Sequence, residues 1–563
     1  MAGALTRVLF LAALAVPYLP IVLLGRVPGE GWLAGVWLAL AGVAMPGAAG
    51  AMLPGGSGTA RWFVRAIGAA VLLNVGVAVT LRVAGLEPGP RVFAALLGFA
   101  TLTTGAWGAS WGGRVPGPRR EPGAWIFGVL ALLFAAWMGT SVVPPLEDQD
   151  SEVQGTAFGL VHDLEPLCLT NRSTLYFFAH PPLLHALNAA TLALGDDLEA
   201  VRPPYDAAVT AREQQRPRVA PGRLDAAVRA FRERDRRADR SFQWYHDVYQ
   251  PFLATPVLTA TRAPNFALAG TAAVLLFAWM RRLGASPLDA SLVTVTYVTL
   301  PEIAVRSAYG GYYALTAATF LAATRLATGR VGGARSGYGA GVLAALANQK
   351  ALVPGAAVGA WRVARAVAAR TPRAFAPAVP LLLGLAIGTL AFWVWGLWIA
   401  PAEFVADHLL EHGVGRFSGG EVLTRAGKAV YPSRPALWLE FASHMGWGWT
   451  LLAGVAVAAA GVVAARSLRT TEGGERTDAL GTLSLWVLVG AVLFTLTDWR
   501  QTKHLCLLVP AASVALGWGL GALRVPWLRI VVRVVLLASI AWNVAWIARL
   551  AADFSSLSIS TVW

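Results

Sequence analysis

The feature that most constrains this chain is a series of apolar runs that recurs along nearly all of its 563 residues. About 15 runs can be distinguished, and several approach the roughly 20 residues that a membrane-spanning helix needs. The runs cover residues 5–24, 32–52, 66–80, 92–111, 125–143, 266–280, 290–300, 312–324, 338–347, 352–361, 375–400, 447–465, 479–497, 505–520 and 534–547. With 56% hydrophobic and 14% charged residues, the chain has more apolar surface than a soluble core buries. We therefore predict an all-α polytopic membrane protein with roughly 13–15 transmembrane helices.

Several runs in the middle of the chain are too short to cross a bilayer as they stand. The clearest cases are the runs at 290–300, 338–347 and 352–361. A helix rises only about 1.5 Å per residue, and the hydrocarbon core is about 30 Å thick. These helices are therefore expected to tilt, to extend into flanking polar residues, or to re-enter the bundle.

Arginine clusters indicate the orientation of the predicted helices. They fall in every second short loop, the pattern of cytoplasmic loops. The clusters lie at 61–65, 114–120, 281–282, 330–335, 362–373, 466–476 and 524–533. We accordingly predict a multi-pass protein of the cell's inner (plasma) membrane with a cytoplasmic amino terminus. The net charge of +15 follows from this topology, so nucleic acid is not an expected partner.

The loops divide the chain into three parts. Residues 1–122 hold four leading spans, residues 123–522 form the predicted core, and residues 523–563 carry a last transmembrane helix. Two long loops interrupt the core at 144–262 and 401–446, and both are predicted to be extracytoplasmic. Within the first loop, residues 196–261 have the character of an insertion.

A dense group of carboxylates follows the fifth apolar run. Glu147, Asp148, Asp150 and Glu152 fall within six residues, which we call the acidic segment (147–152). Like charges this close raise one another's pKa, which suits a general base. The alternative is an acidic turn that only caps a helix and stays hydrated. Oxygen ligands at this density could also hold Mg²⁺ or Mn²⁺.

Lysines are rare and are placed selectively. Only Lys350, Lys428 and Lys503 occur among the 46 basic residues, and all three fall in predicted extracytoplasmic turns. Lysine is a compact charge that suits phosphate oxygens. The alternative is chance placement at helix ends, where long side chains reach the interface.

Further polar candidates fall in the same predicted outer turns and loops. We predict that they line a substrate cavity, together with Lys350 and Lys503. They are His180, Arg262, Glu302, Arg306, His408, His412, Arg416, Arg500 and His504. The four-residue spacing of His408 and His412 permits a metal site, but no HExxH motif accompanies it, and a polar cavity lining is favoured.

The order of these motifs resembles the C-type glycosyltransferase superfamily, and in particular its protein O-mannosyltransferase and aminoarabinose-transferase branch. The resemblance covers residues 124–522. It rests on the carboxylates Glu147, Asp148 and Asp150, on Phe178-Ala179-His180-Pro181-Pro182-Leu183, on Arg262, on Asn348-Gln349-Lys350, and on Arg500 to His504 with Pro510. That branch often carries a second Asp near the outer turn that reads SAYGGYY here, where only Glu302 stands nearby.

The resemblance implies a membrane glycosyltransferase with a C-type core. Its donor would be a polyprenyl-phosphate-linked sugar, and its acceptor a hydroxyl of a glycan, lipid or protein on the extracytoplasmic face. Asp150 or Asp148 would be the catalytic base, with Glu147 beside them. Lys350, Arg500, Lys503 and His504 would hold the lipid phosphate. Phosphate leaves readily when cations neutralise it, so one carboxylate suffices for the proton transfer.

The alternative function is a transporter or flippase for a lipid-linked or anionic solute. In that case the cations would select charge, and the carboxylates would couple transport to protons. The predicted acidic segment lies at the outer boundary, whereas a transporter is expected to carry a carboxylate at the midplane. Internal symmetry is not evident in the sequence either. One outward-opening cavity would favour the transferase, and a central cavity reached from both sides would favour transport.

Overall fold

The computed structural model describes thirteen stretches of the chain, and within them every regular element is helical. The described residues are 2–54, 58–111, 122–144, 156–161, 178, 180–195, 202–215, 226, 255–329, 334–413, 434–469, 474–497 and 502–552. The all-α fold class predicted from the apolar runs is thereby confirmed.

Helices α1 to α6 lie before the predicted core, α7 is the first helix of that core, and α8 and α9 lie within its first loop. They are α1 Ala2–Ala15, α2 Tyr18–Leu24, α3 Gly31–Ala39, α4 Met45–Ala51, α5 Thr59–Val83, α6 Pro90–Ser110, α7 Pro122–Trp137, α8 Leu183–Gly195 and α9 Arg202–Gln215. Two π-helical turns continue this part of the chain, Leu40–Ala44 between α3 and α4, and Met138–Val142 after α7.

The remaining helices begin near the end of the first long loop or follow it. They are α10 Thr255–Arg282, α11 Pro287–Thr299, α12 Pro301–Ala308, α13 Tyr313–Thr328, α14 Ala334–Ala347, α15 Leu352–Ala368, α16 Val379–Ile399, α17 Pro401–Phe404, α18 Arg434–Met445, α19 Trp447–Arg469, α20 Glu475–Leu496, α21 Thr502–Leu505, α22 Val509–Ala522 and α23 Pro526–Ala552. A π-helix, Val405–Gly413, extends α17. The helix α10 therefore begins inside the segment 144–262 that the sequence assigns to a loop.

Eleven helical stretches of the described chain are long and apolar enough to cross a membrane, or twelve if the bent pair α11–α12 is one span. Four of them precede α7, as the sequence predicts. The three helices α13, α14 and α15 are shorter, with 16, 14 and 17 residues. At about 1.5 Å per residue they reach only about 21–26 Å. All 15 predicted runs nevertheless fall on helical segments.

Two helices form the centre of the bundle. In α10, and in the stretch Thr502–Ala522 that contains α22, 83% of the most apolar window is buried. The outer spans bury far less, 22% in the case of Leu5–Leu24, because their apolar side chains face lipid. Helix α10 packs against α3, α7, α8 and α13, so it joins the four leading spans to the core.

A proline breaks the span formed by α11 and α12. The residue before a proline is pushed out of the helical region, and Leu300 adopts φ −52° and ψ 124°. Pro301 then starts α12 at the first helical position, where its missing N–H costs nothing. The two helices meet at a bend of 66°. The break places Glu302 and Arg306 on one face of a short buried helix.

Ion pairs lock helix ends together at one end of the bundle. The Arg362 guanidinium donates to Asp478 at 2.7 Å. The Asp289 carboxylate contacts Arg529 at 2.9 Å and Arg533 at 2.8 Å. We call this the arginine-rich end. The opposite end, the polar end, contains the start of α10 and the turn between α12 and α13.

Candidate functional site

The turn between α12 and α13 is the centre of the polar end. We call its residues Tyr309, Gly310, Gly311 and Tyr312 the tyrosine turn. The Asn265 amide of α10 donates to the carbonyls of Tyr309 at 2.5 Å and Gly311 at 2.6 Å. A Cβ at Gly311 would overlap the Tyr309 ring, so only glycine fits there. The turn is thereby fixed to the central helix.

Arg262 anchors the chain that leads into the acidic segment. One Arg262 nitrogen donates to the carbonyls of Gly139 at 2.6 Å and Val143 at 2.7 Å, and the other donates to Pro144 at 2.6 Å. Gly139 also packs directly on the Ala308 carbonyl at the end of α12. Residue 144 is therefore held beside the tyrosine turn, three positions before the first predicted carboxylate.

The carboxylates predicted to be catalytic lie outside the described residues. Glu147, Asp148 and Asp150 fall in the stretch between 144 and 156, and their role stays a prediction. The same holds for Arg416 and Arg500, and for the side chain of His412.

Lys350 and His180 both contact Tyr312. The Lys350 ammonium lies 5.5 Å from the centre of the Tyr312 ring, within the range of a cation–π contact. The His180 ring centre lies 3.9 Å from the same ring. The Asn348 carboxamide oxygen accepts from the Lys350 backbone N–H at 2.9 Å and caps the short turn that carries the lysine. His180 and Lys350, two predicted site residues that are 170 positions apart in the chain, thus contact the same aromatic ring.

Glu302 is the centre of a buried polar cluster. Its Oε1 accepts from His444 Nδ1 at 2.9 Å and from Thr502 Oγ1 at 3.1 Å. Its Oε2 accepts from Arg306 Nε at 3.1 Å. The Arg306 guanidinium in turn lies 5.6 Å from the ring centre of Tyr309. We call Glu302, Arg306, His444 and Thr502 the Glu302 cluster.

Lys503 and His504 directly follow this cluster in the chain. Both side chains are buried at the start of the central stretch that contains α22. The His504 ring centre lies 5.9 Å from that of Phe494. Thr502, the first residue of α21, donates a hydrogen bond to Glu302. Lys503 and His504, the two predicted phosphate ligands, therefore lie in a helix that begins at the polar end.

His408 holds the aromatic segment that precedes His180. Its Nδ1 lies 3.0 Å from the Phe178 carbonyl oxygen, and its ring stacks on Phe404 at 4.9 Å. The Phe178 ring also packs against Phe404 at 5.3 Å. The second long loop therefore contacts the first at Phe178.

The described polar candidates, taken together, meet at one end of the bundle. The tyrosine turn touches His180, Lys350 and Arg306, and the backbone that Arg262 binds packs on Ala308. Sequence reasoning did not nominate His444 or Thr502, although Thr502 lies within the stretch Arg500–His504. The two residues reach Glu302 across separations of 142 and 200 residues, which no local pattern indicates.

The predicted metal ligands of the polar end are not among the described side chains. Among them no group of three or more His, Cys, Asp or Glu residues is placed to hold an ion. The predicted oxygen ligands for Mg²⁺ or Mn²⁺ belong to the acidic segment, outside those residues.

The His444 contacts predict a pH-dependent stability. Burial lowers the pKa of His444, but the hydrogen bond and charge of Glu302 and the charge of Glu440 raise it by more, so the pKa lies above its ordinary value. Protonated His444 therefore stabilises the folded state fully below about pH 6.5, and this stabilisation is lost as the pH rises through the raised pKa of His444. We expect the difference in thermal midpoint between the native protein and His444→Gln to shrink from pH 6 to pH 9. A difference that grows with pH would contradict this assignment.

The helices and their apolar surfaces define this chain as a multi-pass α-helical membrane protein with a polar cluster at one end of its bundle. Comparison with family models, with curated proteins and with solved structures finds no match to the chain.

Proposed function

We propose that the chain is a membrane glycosyltransferase that moves a sugar from a polyprenyl-phosphate donor to an acceptor hydroxyl. The observation that carries the proposal is the arrangement around the tyrosine turn. Lys350 contacts the turn directly, the Glu302 cluster joins it to the residue before Lys503, and Arg262 holds the entry to the acidic segment beside it. The proposed transfer needs cations beside the leaving phosphate and a carboxylate base beside the acceptor. Lys350 and Lys503 would supply the cations, and the acidic segment would supply the base.

The arginine-rich end supports an orientation for this site. Positively charged residues flank cytoplasmic helix ends, and the ion-paired arginines 362, 529 and 533 lie at the end opposite the tyrosine turn. We infer that the polar end faces the extracytoplasmic side of the plasma membrane. The amino terminus would then be cytoplasmic, and donor and acceptor would meet at the outer leaflet.

The proposed reaction needs one proton transfer. The acceptor hydroxyl gives its proton to Asp150 or Asp148 while its oxygen forms a bond to the anomeric carbon of the sugar. The bond between that carbon and the phosphate oxygen breaks, and its electron pair leaves with the polyprenyl phosphate. The carboxylic acid then releases its proton to water, so the base is restored.

Electrostatic stabilisation of the leaving phosphate is assigned to Lys350, Lys503 and His504, with Arg500 predicted beside them. A cation 4 Å from a phosphate charge contributes about 4 kcal/mol at the effective dielectric near a protein surface. Two such contacts would stabilise the developing charge enough that no general acid is required.

We expect Lys350→Met to lower kcat/KM for polyprenyl-phosphate sugars by about 10²–10³-fold, the usual cost of losing one charge-stabilising donor. Lys350→Arg should restore only part of the rate, because the planar guanidinium is larger than the ammonium. The measurement is release of polyprenyl phosphate by the purified protein in proteoliposomes.

The matched control for Lys350→Met is Arg373→Met. Arg373 is exposed near the arginine-rich end, and losing its charge should leave the rate unchanged. Equal rates for the native protein and Lys350→Met would remove Lys350 from the phosphate site.

A further inference from the structure

The Glu302 carboxylate is enclosed by protein donors. Its side chain is 1% exposed, and His444, Thr502 and Arg306 bond to its two oxygens. A buried carboxylate needs this degree of compensation, because leaving an ion unpaired inside a protein costs several kcal/mol. The charge of the Glu302 carboxylate is therefore compensated by donors of the same chain.

We propose that Glu302, with His444 and Thr502, is a positioning cluster that fixes the start of α21 and so the positions of Lys503 and His504. The proposal rests on the proposed function in taking Lys503 and His504 as phosphate ligands. The sequence predicts that Glu302 and Arg306 line the substrate cavity. In the present proposal they instead position other residues that contact the substrate.

The first support is the position of Thr502 in the chain. Thr502 is the first residue of α21 and is followed directly by Lys503. Its hydroxyl donates to Glu302 at 3.1 Å, and its side chain is fully buried. Fixing this hydroxyl fixes where the helix with the two basic residues begins.

The second support is that the same carboxylate orients the tyrosine turn. Glu302 binds Arg306 one helical turn further along α12, and the guanidinium lies over the rings of Tyr309 at 5.6 Å and Tyr313 at 5.7 Å. One anion thus connects the segment that carries Lys503 and His504 to the tyrosine turn, whose Tyr312 contacts Lys350.

The third support is the space beside Arg306. The cavity there is lined by Arg306, Ser307, Tyr313 and Cys506 among others, and its volume open to the centre of a water molecule is about 10 Å³. That volume is about enough for one water. A sugar or a phosphate group does not fit, which favours a positioning role for Arg306 over contact with substrate from this side.

His444 extends the cluster to the second long loop. It lies in α18, at the end of that loop, and its other nitrogen contacts Glu440 at 3.0 Å. The cluster therefore ties three separate stretches, α12, α18 and α21, to one carboxylate. A shift of about 1 Å in a ligand can cost about 100-fold in rate, so such ties affect catalysis without touching substrate.

The test compares Thr502→Val, which keeps the shape but removes the hydroxyl, with Thr502→Ser, which keeps the hydroxyl. Thr495→Val is the matched control, because Thr495 accepts from Trp438 at 3.0 Å in a separate pair. Amide hydrogen exchange is measured over 502–508 and 306–313 in the full-length protein without ligand, and decaprenyl phosphate is the binding probe.

We expect Thr502→Val to raise exchange rates in both segments about tenfold and to weaken decaprenyl phosphate binding about tenfold, the effect of one hydrogen bond to a charged group. Thr502→Ser should restore both values to within about twofold, as expected if the hydroxyl is what matters. Thr495→Val should change neither.

Unchanged exchange in Thr502→Val would overturn the positioning role. Changed exchange with unchanged phosphate binding would also overturn it, because the segment would then be held without effect on the ligand. Failure of the native protein to bind decaprenyl phosphate, with exchange still altered in Thr502→Val, would instead refute the proposed function and with it the phosphate role of Lys503.

Discussion

Replacing Asp148 and Asp150 together by Asn is expected to lower the turnover number for lipid-linked sugar by about 10²–10⁴-fold, the contribution of a positioned general base. Asparagine keeps the size of each side chain but cannot accept the proton of the acceptor hydroxyl. The measurement is the initial rate of polyprenyl phosphate release in proteoliposomes. The thermal midpoint should not change, because each substitution keeps the size of the side chain.

The matched control for the double substitution is Asp206→Asn. Asp206 lies on α9 in the same long loop, is exposed, and contacts Arg202 at only 3.9 Å. Its loss should leave turnover unchanged. The single variants Asp148→Asn and Asp150→Asn then identify the base as the one that alone reproduces the loss. Full turnover in the double variant would remove both carboxylates from the mechanism and would favour the capping-turn alternative.

Replacing Glu302 by Ala is expected to lower the free energy of unfolding by about 3–5 kcal/mol, the cost of breaking a buried ion pair by removing one partner. The Arg306 guanidinium would lose its carboxylate, and His444 and Thr502 would lose their acceptor. Three elements of the polar end would be released at once. The measurement is the thermal midpoint of the purified protein in detergent, together with denaturant unfolding.

An exposed ion pair at the other end supplies the control for Glu302→Ala. Arg282 donates to Glu475 at 2.7 Å, and the Arg282 side chain is about half exposed. Solvent screening limits such pairs to about 0–1 kcal/mol, so Glu475→Ala should have a small effect. Equal destabilisation by both substitutions would show that the buried Glu302 cluster stabilises the fold no more than an exposed ion pair does.

The sequence is most informative about the membrane-embedded helices. Apolar runs are local properties of the chain, and in a bilayer every backbone polar group must be satisfied within a helix or barrel. For that reason the runs at 266–280 and 505–520 predict helices without any knowledge of their neighbours, whereas their central position appears only in the burial of the folded bundle. The helix α10 still begins earlier than expected, at Thr255, because polar residues such as Arg262 are accommodated by carbonyls of the segment after α7.

The polar end is only partly visible in the sequence. Lys350 and His180 stand out because lysine is rare here and because histidine precedes two prolines, and the structure brings both to Tyr312. His444 carries no such signal. Its role depends on a contact with Glu302 that only the packing of α18 against α12 creates. Tertiary contacts between distant segments have no local pattern, so sequence reasoning could not supply them.

The most direct test of the proposed function is the chemical fate of the donor. Purified protein in proteoliposomes is given a polyprenyl-phosphate sugar labelled in the sugar, with candidate acceptors on the same side, and the lipids are analysed by mass spectrometry. A transferase breaks the bond between sugar and phosphate, so free polyprenyl phosphate and a labelled acceptor should accumulate together. Intact donor that only appears in the opposite leaflet would contradict the account and would identify a transporter.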